Sequence, residues 1–341
     1  MVASKLCSQS SVAKLVDPLS DVLSLLKPKS YAAGGFDAGG PWSIRFAAHD
    51  GVKCYAVAAG GCWLAVEGVP DPVRLEAGDC FLLTRGWPFR LASDLKLEPV
   101  EFSPRLIGRV GAIATWNGGG DCLVGGHFAF AGGHASVLLG ALPPIVHIAK
   151  EADKAALRFS LDRLRQELVD PQPGGFLIAQ DLAHMILVQA LRLHLNTGPS
   201  GGVGWLFALA DKRMAAAISA LHEDPAHRWT LAQIAARAGM SRSSFAEKFK
   251  AAVGASPMEY LIRWRMLLAA DRLTNAGDSV SAVALALGYE SESAFSTAFK
   301  RVMGSAPSRH ADEGRRRRRA RRRRIDGSHK VRLVACGRRG E

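Results

Sequence analysis

The sequence predicts an α+β fold in two domains, a β-rich barrel with appended helices followed by an all-helical unit. Three observations carry this. Between Tyr31 and about Phe130 the chain runs in short β-like stretches broken by glycine (WSIRFAA, KCYAVAAGGCWLAV, VRLEAGDCFLLT, PFRLA), the texture of a sandwich or small barrel. Between residues 229 and 310 one pattern is written twice: Phe245, Phe249, Lys250, Gly254 and Pro257 return as Phe295, Phe299, Lys300, Gly304 and Pro307, each 50 positions later. The stretch NTGPSGGVG at 196–204 separates the two textures and is a flexible linker by composition.

Residues 1 to about 16 read as a poorly ordered start, after which the first domain spans 17–195. Asp17, Pro18, Leu19 and Ser20 open a short helix whose apolar side is Val22, Leu23, Leu25 and Leu26. In the β-rich part, Arg74-Leu75-Glu76-Ala77-Gly78-Asp79, then Phe81-Leu82-Leu83 and Arg85-Gly86-Trp87-Pro88, resemble the second sequence motif of cupin barrels. The resemblance implies a cupin-like β-barrel with a hairpin turn at Gly78-Asp79 and a corner shaped by Gly86 and Pro88. Cupins with metal-dependent chemistry place a His near Phe89 and a His-x-His pair on an earlier strand. Here Phe89 and Lys53-Cys54-Tyr55 hold those places, so neither a metal centre nor another cofactor is expected.

A barrel without catalytic ligands leaves a pocket as its use. Trp42, Arg45, Tyr55, Trp63, Trp87 and Arg90 are the pocket candidates, because aromatics supply apolar walls and Arg can grip an anion. Plain core packing is the competing reading for each aromatic. His49, His127, His134 and His147 are far apart in sequence without ligand spacing, and read as satisfied or surface histidines. ALPPIVHI, from Ala141, reads as a turn and a short extended segment leaving the barrel.

Two helix patterns follow at 151–169 and 176–195, split by Asp170-Pro171-Gln172-Pro173-Gly174-Gly175. In the second, Leu177, Ile178, Leu182, Met185, Ile186, Val188, Leu191 and Leu195 make an apolar side wider than one stripe. Such a helix wants partners on two sides. A second copy of the chain, giving a homodimer, and burial within one subunit both satisfy it.

The second domain is expected over 205–312, led by a helix from Trp205 to His222 with Lys212 and Arg213 near its exposed side. Thr230 and Ser279 stand as N-caps before Leu231, Ile234, Ala235, Ala238 and before Val280, Val283, Ala284, Leu287, two apolar faces at helical spacing. Gly239 and Gly288 follow as left-handed C-caps. Each unit thus reads helix, tight glycine turn, helix; the second turn is one residue longer, since Gly288 to Phe295 spans seven positions against six for Gly239 to Phe245. Ser256 and Pro257 open a connecting helix over roughly 258–273.

WTLAQIAARAGMSRSSFAEKFKAAVGASPMEYLIRWRMLLAADRL and SVSAVALALGYESESAFSTAFKRVMGSAPS resemble the two halves of the DNA-binding domain of the AraC family of bacterial transcription regulators. The resemblance covers about 80 residues. It departs at Thr297, where the family often has Arg, and at His310, where an aromatic is common. It implies two recognition helices in successive major-groove segments of promoter DNA, contact with RNA polymerase, and an activator modulated by a small-molecule effector through the first domain.

Helix geometry selects the readers. With Phe245 and Phe249 buried, about 100° per residue puts Ser243, Glu247 and Lys250 opposite, with Ala246 at the flank; in the second copy Ser293, Thr297 and Lys300 are opposite, with Ser296 beside them. Ser243, Ala246, Glu247, Ser293, Ser296 and Thr297 are therefore the base-reading candidates, and Arg242, Lys248, Lys250, Lys300 and Arg301 the phosphate-binding ones. The plainer reading is an ordinary solvated helix face.

No run reaches 18 apolar residues without a charge and the amino terminus lacks a basic start before an apolar core, so a cytoplasmic protein with no membrane partner is expected. Cys7, Cys54, Cys62, Cys80, Cys122 and Cys336 show no CxxC or zinc spacing and read as reduced thiols; a redox pair of Cys54 with Cys62 is the sharper alternative to buried structural cysteine. The net charge of +13 belongs mostly to an Arg-rich tail at 313–341: from Gly314 on, twelve Arg and one Lys stand against Asp326 and Glu341. That tail has no apolar periodicity and reads as disordered. The favoured function is a sequence-specific DNA-binding regulator and not an enzyme. Its rivals are a cupin-type enzyme with a DNA-binding appendix and a DNA-coating protein driven by the tail.

Overall fold

The computed structural model describes residues 17–26, 28–103, 108–110, 112–130, 142–196, 204–312 and 316. Cys7, His134, Cys336, the interior of the expected linker and, apart from Arg316, the tail from 313 on lie outside them. The described residues form two compact units, one within 26–211 with 251–254, and the other within 17–25, 212–250 and 255–312.

Among its described residues the first unit is built on the strands β1 (Pro28–Ala38), β2 (Ser43–Phe46), β3 (Val52–Ala59), β4 (Gly61–Val66), β5 (Val73–Glu76), β6 (Cys80–Leu83), β7 (Phe89–Ala92), β8 (Val100–Glu101), β9 (Gly108–Val110), β10 (Ile113–Trp116), β11 (Asp121–Phe130) and β12 (Ile145–Ile148). They make a seven-stranded sheet in the order β12-β6-β3-β11-β1-β10-β9 and a five-stranded one in the order β5-β4-β7-β2-β8. Alternating residues from both sheets fill a single core, including Phe36, Trp42, Ile44, Val57, Leu64, Leu75, Phe81, Leu83, Phe89, Leu91 and Leu123. Each such side chain contributes roughly 1.5–3 kcal/mol by leaving water.

One expectation is corrected. Gly78-Asp79 does not close a hairpin, because β5 pairs with β4 while β6 pairs with β3 and β12. The turn carries the chain from one sheet to the other, and the buried Asp79 fixes it. Its Oδ2 accepts from the Glu76 amide and lies 2.8 Å from His147 Nε2, while Oδ1 lies 2.8 Å from Lys154 Nζ. Burial pushes the carboxyl up, but Lys154, His147 and the amide outweigh it and hold it below its usual range.

The outer face of the seven-stranded sheet is covered by α2 (Glu151–Val169) and α3 (Gly175–Asn196), within a residue of the expected helices. Long and apolar enough by composition to cross a membrane, α3 buries Ala179, Leu182, Ala183, Ile186, Leu187, Ala190 and Leu191. A Cβ on Gly126 of β11 would stand 3.0 Å from that of Ala183, so strand and helix meet closely. Phe159, Phe176, Leu177 and Met185 remain exposed, which leaves both readings of the wide apolar side with residues in their favour.

The expected helix from Trp205 to His222 is two helices, α4 (Trp205–Ala208) and α5 (Lys212–Glu223), parted by tight turns in which Leu209, Ala210 and Asp211 donate three residues back. The reason is the burial of Trp205, Leu206 and Phe207, with Phe207 against His194, in the first unit.

The helical unit holds α1 (Pro18–Leu26), α5, α6 (Leu231–Arg237), α7 (Arg242–Val253), α8 (Pro257–Asp271), α9 (Val280–Ala286) and α10 (Glu292–Met303), with a helix at 307–312. A π-helical turn at Arg272–Ala276 ends α8 at a left-handed Gly277. α1 is capped by Asp17, whose carboxylate accepts from Leu19 N and Ser20 Oγ. It joins this unit through Asp21, 3.5 Å from Nδ1 of the buried His222. His222 in turn meets Tyr260 Oη at 2.7 Å and stacks on Trp264 at 3.8 Å.

Candidate nucleic-acid interface

Each repeat is a helix pair locked by caps and by two buried phenylalanines. Thr230 closes a capping box with Gln233, and Ser279 accepts from Ala282 N. The second helices start at Ser241, which accepts from Ser244 N, and at Ser291, which accepts from Ala294 N. Phe245 and Phe249 in α7, like Phe295 and Phe299 in α10, are fully buried with ring centroids 5.4 and 5.6 Å apart. Both turns use a glycine at positive φ, +62° for Gly239 and +78° for Gly288. His310 fills the aromatic place by packing edge-on against Phe299 at 5.1 Å.

Burying these faces fixes what is displayed. Ser243, Glu247, Arg242, Lys248 and Lys250 are exposed on α7, as are Ser293, Thr297, Lys300 and Arg301 on α10, with Ala246 and Ser296 half-buried beside them. Thr297 Oγ1 donates to Ser293 O one turn back on its own helix, at 3.0 Å. Glu292, Ser293, Ser296, Thr297 and Lys300 border an open cleft of about 340 Å³ with Ala306, Pro307 and Ser308.

A residue not singled out from the sequence holds the two repeats in register. Arg265 of α8 donates from Nε to Pro225 O at 2.5 Å and from its terminal nitrogen to His227 O at 2.9 Å, gripping the loop before α6, and its guanidinium lies 5.7 Å from the Tyr289 ring in the second turn. The same loop closes on that turn: a Cβ on Gly288 would lie 2.3 Å from Ala226 O, and Arg228 pairs with Glu290. The signal was available, an arginine between the apolar positions of a connecting helix in IRWRM, but nothing in the spacing named its partners.

In the barrel unit the six pocket candidates separate by strand alternation. Trp42 and Tyr55 face the interior; Trp42 Nε1 donates to Asp121 Oδ2 at 2.8 Å, and burial pushes the Tyr55 hydroxyl up to about 12. Arg45, Trp63 and Arg90 lie on strand positions opposite to the core-facing ones. Arg45 pairs with Glu67 at 2.5 Å and Glu101 at 2.7 Å, Trp63 carries the Arg74 guanidinium at 5.7 Å, and Arg90 donates to Ser43 Oγ and to the carbonyls of Leu95 and Leu97. Trp87 is exposed at a corner against Gly68. Cys54 meets Cys80 at 3.9 Å, not Cys62, and Cys54, Cys62, Cys80 and Cys122 are all buried free thiols.

A family model described as a cupin matches residues 17–196, and one described as a helix-turn-helix domain matches 234–313. A putative AraC-like transcription regulator of Streptomyces antibioticus is 43% identical over 294 residues, 86% of this chain and 97% of that one. Its counterpart in Streptomyces lividans is 44% identical over the same shares. The HTH-type transcriptional regulator MtrA of Neisseria gonorrhoeae is 29% identical over 86% of this chain and 99% of its own.

Proposed function

The chain belongs to the AraC-like DNA-binding transcription regulators, and on that premise we propose that it reads promoter DNA with both repeats at once and activates transcription under control of a small ligand. α7 and α10 enter successive major-groove segments. Ser243, Glu247 and the flanking Ala246 read bases from the first, and Ser293, Ser296 and Thr297 from the second. Glu247 accepts from a cytosine amine, while Thr297 offers a methyl for thymine. Arg242, Lys248, Lys250, Lys300 and Arg301 hold phosphates.

The observation that carries the reading is the duplicated display: two helices, each anchored by a buried Phe pair, present short polar side chains flanked by cations. The barrel unit supplies the ligand response. The exposed Phe159, Phe176, Leu177 and Met185 supply a surface for a second copy. Bound at a promoter, the protein acts through contact with RNA polymerase.

Substitution tests the reading face. Glu247→Ala and Ser243→Ala should change base preference at defined positions by roughly 1–3 kcal/mol, whereas Arg242→Ala should weaken all sequences alike and lower the salt slope by about 1. A uniform loss from all three variants sinks the assignment.

A further inference from the structure

One end of the barrel interior holds a cation without a counter-ion among the described residues. Along β3, Tyr55 and Val57 point into the core, so Lys53, two residues before Tyr55, points the same way. His127 of β11 is its direct partner in the register and shares that face. The opposite sheet contributes Phe46 and Phe89, themselves paired across β2 and β7. The Lys53 ammonium lies 5.6 Å and 5.2 Å from the centroids of those two rings. Phe46 stacks on Phe89 at 4.6 Å and on the exposed Phe102 at 4.9 Å, giving a three-ring platform.

His49 closes the cluster, its ring 5.5 Å from His127 and 6.1 Å from Phe89; among the described residues neither buried ring nitrogen has a partner in full hydrogen-bond geometry, the Asp50 backbone being the polar group that acts on it. Burial lowers the Lys53 pKa, and no carboxylate pairs with it among the described residues. Asp50, the nearest acid by its influence on His49, offers its backbone carbonyl to His127. By contrast, Arg45 has Glu67 and Glu101, and Lys154 has Asp79 and Glu151. A desolvated, unpaired ammonium beside orphaned imidazole nitrogens is costly to fold around, and such costs concentrate at binding sites.

We propose that this end of the barrel binds an apolar monocarboxylate, its carboxylate against Lys53 with His49 as hydrogen-bond donor, its hydrocarbon body on the Phe46, Phe89 and Phe102 platform. The proposal rests on the reading of the barrel unit as the ligand-responsive part, and names the ligand class and its anchor. The anchor differs from the two guanidiniums that the sequence offered, because alternation places Arg45 and Arg90 away from the core.

The test uses the full chain, with phenylacetate and octanoate as aromatic and alkyl probes, and phenylacetamide and octanamide as their neutral counterparts. Calorimetric titration and thermal unfolding are read on the wild type, Lys53→Met and Lys53→Arg. At least one carboxylate should bind about tenfold or more tighter than its amide and raise Tm. Lys53→Met should lose that preference, Lys53→Arg keep it, and ligand-free Lys53→Met should melt no lower than wild type because it removes an unpaired charge. The preferred carboxylate tells whether the platform takes a ring or a chain.

Equal binding of acids and amides, or undiminished carboxylate binding by Lys53→Met, overturns the site. Absence of binding by either acid to wild-type protein that still binds DNA overturns the ligand class and leaves the DNA-reading proposal standing. Carboxylate binding by protein that reads no DNA sequence does the reverse.

Discussion

Gly239 and Gly288 hold equivalent places in the two repeats, yet alanine should cost far more at the second. Both residues are left-handed, and an L-residue there costs about 1–2 kcal/mol. At Gly239 a Cβ would meet nothing within 4 Å, so the backbone cost is the whole cost. At Gly288 it would lie 2.3 Å from the carbonyl oxygen of Ala226, 3.1 Å from its carbon and 3.3 Å from its Cα. Backbone cannot swing aside as a side chain can, and overpacking of this kind adds about 1–3 kcal/mol. Gly239→Ala should therefore lose about 1–2 kcal/mol and Gly288→Ala about 2–5 kcal/mol. Urea unfolding of both full-length variants, followed by far-UV circular dichroism, measures the difference. Because Ala226 belongs to the loop that Arg265 grips, Gly288→Ala should also weaken DNA binding more than Gly239→Ala does. Equal losses at the two positions, in stability or in DNA affinity, would refute the claim that this contact sets the register of the repeats.

Two further outcomes follow from the same geometry. Arg265→Ala leaves the carbonyls of Pro225 and His227 without their donor and should lower stability by about 1–3 kcal/mol, and affinity for a two-block site with it, at an unchanged salt slope. A slope reduced by about 1 would make Arg265 a phosphate contact instead. His49 is held at about 4 against an ordinary 6.5, by burial first and the Lys53 charge second. Above 6.5 both folded and unfolded chains carry it neutral; below, the unfolded chain takes up the proton first. Stability from this group is therefore lost as pH falls from 6.5 toward about 4, and His49→Asn should flatten the Tm profile across that window. An unchanged profile would place His49 in solvent.

The helical unit was the more legible part because its signals are local. Caps, glycine turns and buried Phe pairs sit within a few residues of the structure they determine, so α6, α7, α9 and α10 follow from spacing alone. What spacing could not supply was non-local. Arg265 acts on a loop 40 positions earlier, and α1 joins the helical unit through Asp21 and His222, two hundred residues apart. In the barrel unit the texture of short strands showed the class, but not which strands pair; Gly78-Asp79 looks like a hairpin turn until β5 and β6 are assigned to different sheets. Pocket candidates chosen by residue type ignored alternation, which turns Arg45 and Arg90 one way and Lys53 the other. His49 and His127, 78 positions apart, carried no spacing signal for the meeting of their rings.

Selection of bound sequences from a random duplex pool tests the central claim most directly. It would use the full chain at about physiological salt, where nonspecific phosphate affinity is suppressed, with a variant lacking residues 314–341 in parallel. Two cations-flanked reading helices predict a motif of two information-rich blocks about one helical turn apart, recovered with and without the tail. A single block, or a motif that vanishes with the arginines, would contradict the account.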